Sequence, residues 1–271
     1  METEIIAEIG DNHNGDIELA KGMIMYAALN GADIVKFQSY NEACIRKEDP
    51  ERDWFLKASL SNEDHFELKE HAEKHNVEFL SSPFSRERAD FLVNELGLTK
   101  LKIASCMIYN EEFLEFAWGL DIDKLYVSTG LASVGDIEDV VGQGWGSIDI
   151  CLMHCVSLYP CKDELANVGA VRNLLETFGY DGYQIGYSDH TTGIDACVAA
   201  VAAGASVIEK HFVIRKDLTE STDVVVSADV AEFAEMVRRI RRTEILLGEG
   251  IKRPCAEELK NKEFLANRFI V

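Results

Sequence analysis

Lys36 and Gln38 stand two apart in Ile34-Val35-Lys36-Phe37-Gln38, a run that otherwise reads as a buried β-strand. Alternation along a strand puts both on one face and Val35 and Phe37 on the other. An ammonium inside an apolar strand is costly unless it meets a charge. Lys102 in Leu101-Lys102-Ile103-Ala104-Ser105 and Glu8 in Ile6-Ala7-Glu8-Ile9-Gly10 pose the same problem. Two lysines converging on one place suit an anion with several charges, such as a phosphate with a carboxylate. Hydroxyls recur at the ends of similar runs, as Ser82, Ser105, Ser128, Ser157 and Ser188. Together with backbone donors they can complete a phosphate shell.

Histidines supply the second chemistry. His190 ends Gly186-Tyr187-Ser188-Asp189-His190, and His211 lies in Ile208-Glu209-Lys210-His211-Phe212. At adjacent strand ends their imidazoles meet, and paired neutral imidazoles suit Mn²⁺, Zn²⁺ or Fe²⁺. Glu209 shares the parity of His211 and is a further ligand or an acceptor behind one. His13 and His154 also follow or end strand-like runs, without a clear role. His65, His71 and His75 fall on a helix pattern and are expected at the surface. The seven cysteines contain no CxxC pair and are expected to be reduced core or loop thiols.

The elements that must position these residues alternate regularly. Strand-like runs fall at 4–10, 33–40, 77–84, 100–105, 124–130, 148–154, 183–190 and 207–213. Helix patterns fall at 17–29, 62–75, 86–95, 110–118, 137–142, 164–178, 195–203 and 228–247. Ser61 and Ser133 open helices with acidic residues in the first turn. Eight βα units predict a parallel sheet closed into a single-domain (β/α)₈ TIM barrel over residues 1–271, of the α/β class. Polar residues at the strand ends then share the barrel mouth. The longer segments 41–60 and 215–227 leave C-terminal strand ends and are expected to be lids or substrate loops, and the tail after Gly250 a closing segment.

Composition narrows the partners. Of 271 residues, 47% are apolar and 28% charged, and the formal net charge is −21. So acidic a chain is a poor partner for nucleic acid, where binding depends on neutralising phosphates. Any anionic substrate must find a local positive island. No apolar run is long enough to span a bilayer, and Met1-Glu2-Thr3-Glu4 lacks the basic and apolar parts of a signal peptide. No membrane partner and a cytoplasmic location are expected.

Taken together, the chain resembles the sialic acid synthase (NeuB) family. The matching stretches are AEIGDNHNGD at 7–16, GADIVKFQ at 31–38, SSPF at 81–84 and KIAS at 102–105. STG at 128–130, HCVSLYP at 154–160, IGYSDHT at 185–191 and VIEKHF at 207–212 continue the order. The resemblance implies condensation of phosphoenolpyruvate with an aldose, often an N-acylated hexosamine, to give a nonulosonic acid and phosphate. It implies that Lys36, Lys102, Ser105, Ser128 and Ser188 hold phosphoenolpyruvate, with Ser157 nearby. His190 and His211 would bind a divalent metal, Mn²⁺ first, with Mg²⁺, Co²⁺ or Zn²⁺ as alternatives. Gln38, Tyr159 and Asp223 would address the sugar, and Glu8 would sit close to the reacting atoms. A homodimer is a further family-level expectation.

Three departures bear on the acceptor. Cys106-Met107 stands where the family usually has Gly-Asp or Gly-Glu, and Ser157 where many members have Asn. The sequence also ends where the family continues into a small antifreeze-like domain, which implies a different or smaller acceptor or a contribution from another polypeptide. The alternatives to a synthase are a metal-dependent pyruvate aldolase and a non-catalytic barrel that binds sugar or phosphoenolpyruvate.

Overall fold

The computed structural model describes residues 2–142, 146 and 148–268. Eight strands form one parallel sheet: β1 Glu4–Glu8, β2 Ile34–Ser39, β3 Glu78–Pro83, β4 Lys100–Ile103, β5 Lys124–Ser128, β6 Asp149–His154, β7 Gln184–Asp189 and β8 Val207–His211. Their order is β3-β2-β1-β8-β7-β6-β5-β4. β3 and β4, the two ends of that order, lie against each other, so the sheet curls into a nearly closed barrel. Each strand stops within a few residues of the expected run, as the chain leaves the ladder to enter the mouth. Beyond β1, for example, Gly10 turns at a φ of +52°.

The helices follow the strands in turn: α1 Ile17–Leu29, the small extra α2 Arg52–Ala58, α3 Asn62–Lys74, α4 Arg86–Asp90, α5 Glu111–Trp118, α6 Val134–Val141, α7 Ala170–Phe178, α8 Asp195–Ala203 and α9 Val230–Leu247. Asp16 caps α1, and Ser61 and Ser133 open α3 and α6 as expected, each forming a capping box, with Asp64 and Asp136 respectively. The run expected at 86–95 passes from α4 into a wider π-turn at Phe91–Glu95. The run expected at 164–178 begins late, because Asn167 takes a left-handed φ of +44° and breaks the helix before α7.

Two expectations need correction. His65 is fully buried rather than at the surface. It shares the inner face of α3 with Leu68 and Ala72, sets Nδ1 2.8 Å from the Ser61 carbonyl and lies edge-on to Phe79 and Phe91. The tail after Gly250 does not close the barrel. Its helices α10 Ala256–Lys260 and α11 Lys262–Ala266 are exposed along their length. No helix among the described residues is long and apolar enough to cross a membrane.

The barrel has two apolar layers. Val35, Phe37, Ile103, Val127, Leu152 and Ile208 face outward to the helices. Ile6, Ile34, Leu80, Tyr126, Cys151, Met153 and Val207 fill the interior. Two residues further along their strands, on the same inner face, come Glu8, Lys36, Ser82, Ser128 and Glu209. The period of two therefore places a polar layer directly above an apolar plug.

Behind that layer, on the outer side, Lys210 and Asp189 form a fully buried ion pair of 2.7 Å between β8 and β7. Lys210 also donates to the Thr191 carbonyl, while Asp189 accepts from Thr191 N and Tyr187 Oη. These residues precede His211 and His190 and fix the register of both strand ends. Lys210→Met is expected to lower the unfolding free energy by ~3–5 kcal/mol, because Asp189 is left buried without its cation. Urea denaturation checks this; a loss below ~1 kcal/mol would show that the pair is unimportant.

Candidate active site

A chamber of about 280 Å³ opens at the C-terminal end of the barrel. Glu8, Lys36, Gln38, Lys102, Ser105, Ser128, Ser157, Tyr159, Ser188, His190 and His211 all line it, as do Ser82 and Glu209. Asp223 stands just behind, with Oδ2 3.5 Å from His211 Nδ1. Met107 is buried in the outer core, so no carboxylate enters there, and it is Cys106 that reaches the chamber. His13 packs against Phe37 and His154 against Tyr187, both in the layer outside the barrel.

One half of the chamber answers the problem of the buried lysines. Lys36 Nζ lies 3.0 Å from Glu8 Oε2, 3.5 Å from Glu209 Oε2 and 3.2 Å from Ser82 Oγ. Lys102 Nζ lies 2.5 Å from Ser128 Oγ and 3.7 Å from Glu209 Oε1. Ser188 donates to the same Glu209 oxygen at 2.8 Å. Glu209 is thus the hub of the cluster. Burial alone would raise its carboxyl, but Lys102 and Lys36 overcome this and hold it down to about 2. Burial pushes Glu8 up to about 7, against the pull of Lys36 and with the Glu209 charge adding to the rise. Glu209 is therefore a fixed counter-charge, while Glu8 can exchange a proton near neutral pH.

Ser105 and Ser157 meet at Gly130. Gly130 N donates to Ser105 Oγ at 3.2 Å, and Ser105 Oγ lies 3.1 Å from Cys155 Sγ. A Cβ at Gly130 would come within 2.3 Å of Ser157 Oγ and 2.6 Å of Ser105 Oγ. Only glycine lets both hydroxyls approach this strand end.

The other half holds the imidazoles. His190 Nδ1 lies 2.7 Å from the Val156 carbonyl, an acceptor only, so Nδ1 carries the proton and Nε2 a lone pair. Tyr159 Oη lies 2.9 Å from that Nε2 and donates to it. The His190 and His211 ring centroids are 5.6 Å apart. Burial lowers the proton affinity of both rings, and His190 and Lys36 lower that of His211 further. His211 Nδ1 is buried with no hydrogen-bond partner. Two neutral imidazoles with an unsatisfied buried nitrogen fit a divalent cation. Among the described residues no group of three His, Cys, Asp or Glu side chains is placed to hold one. The protein thus offers two imidazoles and leaves room for other ligands.

Loops beyond the strand ends complete the mouth. Asn14, left-handed at φ +57°, accepts from Thr219 Oγ1 and Glu220 N and donates to the Leu218 carbonyl. Lys57 of α2 pairs with Glu220 at 2.9 Å. The segments after β1, β2 and β8 are knit together above the chamber.

Asp11, which pattern alone did not single out, is part of this knot. Its side chain is buried, and Tyr40 Oη lies 3.0 Å from its Oδ1 and 3.2 Å from the Phe55 carbonyl. The Tyr40 hydroxyl donates to Asp11 Oδ1 and shares that proton with the Phe55 carbonyl in a three-centre bond. Burial pushes the Asp11 carboxyl up to about 8, only partly opposed by the Tyr40 hydrogen bond. The ordinary value is 3.8, so from there to about 8 the folded state holds a proton that the unfolded state has lost. Stability contributed by this group therefore falls as pH rises through that window. Asp11→Asn is expected to stabilise the protein by ~1–3 kcal/mol at pH 8, with the gain vanishing near pH 4. Urea denaturation across that range checks it; a pH-independent effect would refute the protonated form.

Comparison with known proteins agrees with this geometry. The profile of the NeuB family matches residues 23–252. The chain is 40% identical to N,N'-diacetyllegionaminic acid synthase of Campylobacter jejuni subsp. jejuni, over 96% of this chain and 81% of that one. It is 34% identical to pseudaminic acid synthase of Helicobacter pylori, over 99% and 82%. The crystal structure of N-acetylneuraminic acid (sialic acid) synthetase from Leptospira borgpetersenii superposes with a TM-score of 0.90 at 37% identity, covering 98% of this chain and 92% of that one. A match over most of the chain, in sequence and in fold, places it plainly: the chain belongs to the NeuB family.

Proposed function

We propose that the protein condenses phosphoenolpyruvate with an aldose, an N-acylated hexosamine or a related sugar, to give a nonulosonic acid and inorganic phosphate. The observation that carries this reading is one chamber with two unlike halves. Lys36 and Lys102, buried and held by Glu8 and Glu209, face a pair of neutral imidazoles. The synthase relatives support the same reaction.

Lys36 and Lys102 take the charges of the phosphate and carboxylate, and Ser105, Ser128, Ser157 and Ser188 donate to their oxygens. Gln38, Tyr159 and Asp223 orient the sugar so that its aldehyde carbon meets carbon 3 of phosphoenolpyruvate. A carbon–carbon bond forms there as the aldehyde C=O π pair moves onto its oxygen, which takes up a proton to become a hydroxyl, and positive charge develops at carbon 2. Water adds at that carbon, and Glu8, poised near neutrality, takes up the proton released. The carbon–oxygen bond to phosphate then breaks, leaving the 2-keto acid. His190 and His211 would hold a divalent cation, Mn²⁺ first with Mg²⁺, Co²⁺ or Zn²⁺ as alternatives, which would supply Lewis-acid polarisation of the aldehyde oxygen. The deciding experiment is phosphate release from phosphoenolpyruvate with Mn²⁺ and a panel of aldoses. Release requiring all three components is expected; no release across the panel would overturn the reading.

A further inference from the structure

His71 and His75, which the chamber does not use, stand four residues apart on α3. His71 lies in the last turn of the helix and His75 caps it, just before Asn76 turns left-handed at a φ of +54°. From there the chain enters the start of β3, so the pair lies at the end of the barrel opposite the mouth. Residues four apart share a helix face. Here the two rings meet, with centroids 4.7 Å apart and planes inclined at 51°, and both are half-buried. Metal–nitrogen bonds of about 2.0–2.1 Å bring two imidazoles on one tetrahedral or octahedral ion to roughly 4.5–5 Å between centroids. The observed spacing falls in that range, so one ion can bind both rings with no change in the helix backbone.

The surroundings suit a cation. The His71 ring hydrogen-bonds to the Lys21 carbonyl of α1. That makes one ring nitrogen the donor and leaves the other with a lone pair, the usual arrangement of an imidazole ligand. Partial burial, then the neighbouring His75 and Lys21, hold the proton affinity of His71 below its ordinary value, which keeps the ring neutral at neutral pH. The nearby ammonium groups are already matched. Lys21 Nζ lies 2.6 Å from both Glu18 Oε1 and Glu67 Oε1, and Lys74 Nζ lies 2.8 Å from Glu70 Oε1. The carbonyls at a helix C-terminus carry partial negative charge, which favours a cation at this end of α3.

We propose that His71 and His75 form a second metal site, on the outside of the barrel, for a borderline-soft divalent cation such as Zn²⁺, Ni²⁺ or Cu²⁺. Nitrogen ligands alone favour these ions over Mn²⁺ and Mg²⁺. The imidazoles of the chamber differ in having the Asp223 and Glu209 carboxylates beside them. Water fills the remaining positions of the outer ion. Bound there, the ion ties the last turn of α3, where helices fray, to its cap, and holds His71 against α1. Because it binds the folded chain, it stabilises the fold in proportion to its occupancy. The site is independent of the synthase reading, since it lies away from the chamber and takes no part in turnover.

Calorimetry on the full chain, free of any histidine tag, tests the site with Zn²⁺, Ni²⁺ and Mn²⁺ as probes. In His211→Asn, whose chamber imidazoles are disrupted, a Zn²⁺ or Ni²⁺ ion should still bind. Adding His71→Ala or His75→Ala to that variant should weaken this binding by at least about tenfold. Mn²⁺ should bind the outer pair at least about tenfold more weakly than Ni²⁺. Zn²⁺ should also raise the urea midpoint of protein that carries the pair, and raise it less in His75→Ala. His75→Gln, which keeps a polar side chain at the cap, replaces the alanine variant if circular dichroism shows a disturbed fold. Zinc and nickel binding unmoved by the His71 and His75 variants would overturn the proposal. So would the loss of all zinc and nickel binding in His211→Asn alone, or an outer pair that takes Mn²⁺ as tightly as Ni²⁺.

Discussion

Replacing Lys36 by methionine is expected to reduce aldose-dependent phosphate release by at least about a hundredfold and to weaken phosphoenolpyruvate binding in parallel. The ammonium lies 3.0 Å from Glu8 and 3.5 Å from Glu209, where the proposed reaction would hold a multiply charged anion. The same change leaves two buried carboxyls facing each other, so stability should fall by ~3–5 kcal/mol. Loss of activity could then reflect misfolding alone. The double variant Lys36→Met with Glu8→Gln separates the two effects, because it removes one carboxyl along with its cation. It should regain most of the stability and none of the activity. Activity within a few-fold of wild type in either variant would place the anion site elsewhere.

The second large effect concerns the other half of the chamber. His211→Asn is expected to weaken Mn²⁺ binding, read by calorimetry or electron paramagnetic resonance, by at least about a hundredfold, and phosphate release should fall with it. His211 offers a neutral buried imidazole whose Nδ1 makes no hydrogen bond and lies 3.5 Å from Asp223 Oδ2, a ligand that asparagine does not reproduce. Phosphoenolpyruvate affinity should change little, since the lysines are untouched. The Lys36 variants should show the converse, with Mn²⁺ affinity retained. Unaltered Mn²⁺ binding in His211→Asn would remove the imidazole pair as the metal site.

The barrel and most of the chamber were legible in the sequence because strand periodicity is rigid. Lys36 and Gln38 must share a face, and so must Glu209 and His211, whatever surrounds them. Repeated βα units leave few ways to arrange eight parallel strands. Helix faces were less well read. His65 shares its stripe with Leu68 and Ala72, at intervals of three and seven, but its polar ring masked the pattern. The tail beyond Gly250 was misjudged because its scattered apolar residues carry no sign of what they contact; Ile251 and Phe264 stand largely exposed.

Pairings made across loops were not legible at all. Nothing local joins Asp11 to Tyr40, Asn14 to Thr219, or Lys57 to Glu220. These contacts join the segments after β1, β2 and β8, and no spacing announces them. Glu209 shows the boundary most clearly. Its parity with His211 is fixed by the chain, but its place between Lys36, Lys102 and Ser188 joins four strands. The sequence by itself determined the fold class, the inward-facing residues and the two kinds of chemistry, because alternation is a property of the local backbone. Only the tertiary structure decided which carboxylate is a fixed counter-charge, which one exchanges a proton, and which loops meet beyond the strand ends. Burial and distance between remote residues set those properties, and neither exists until the barrel closes.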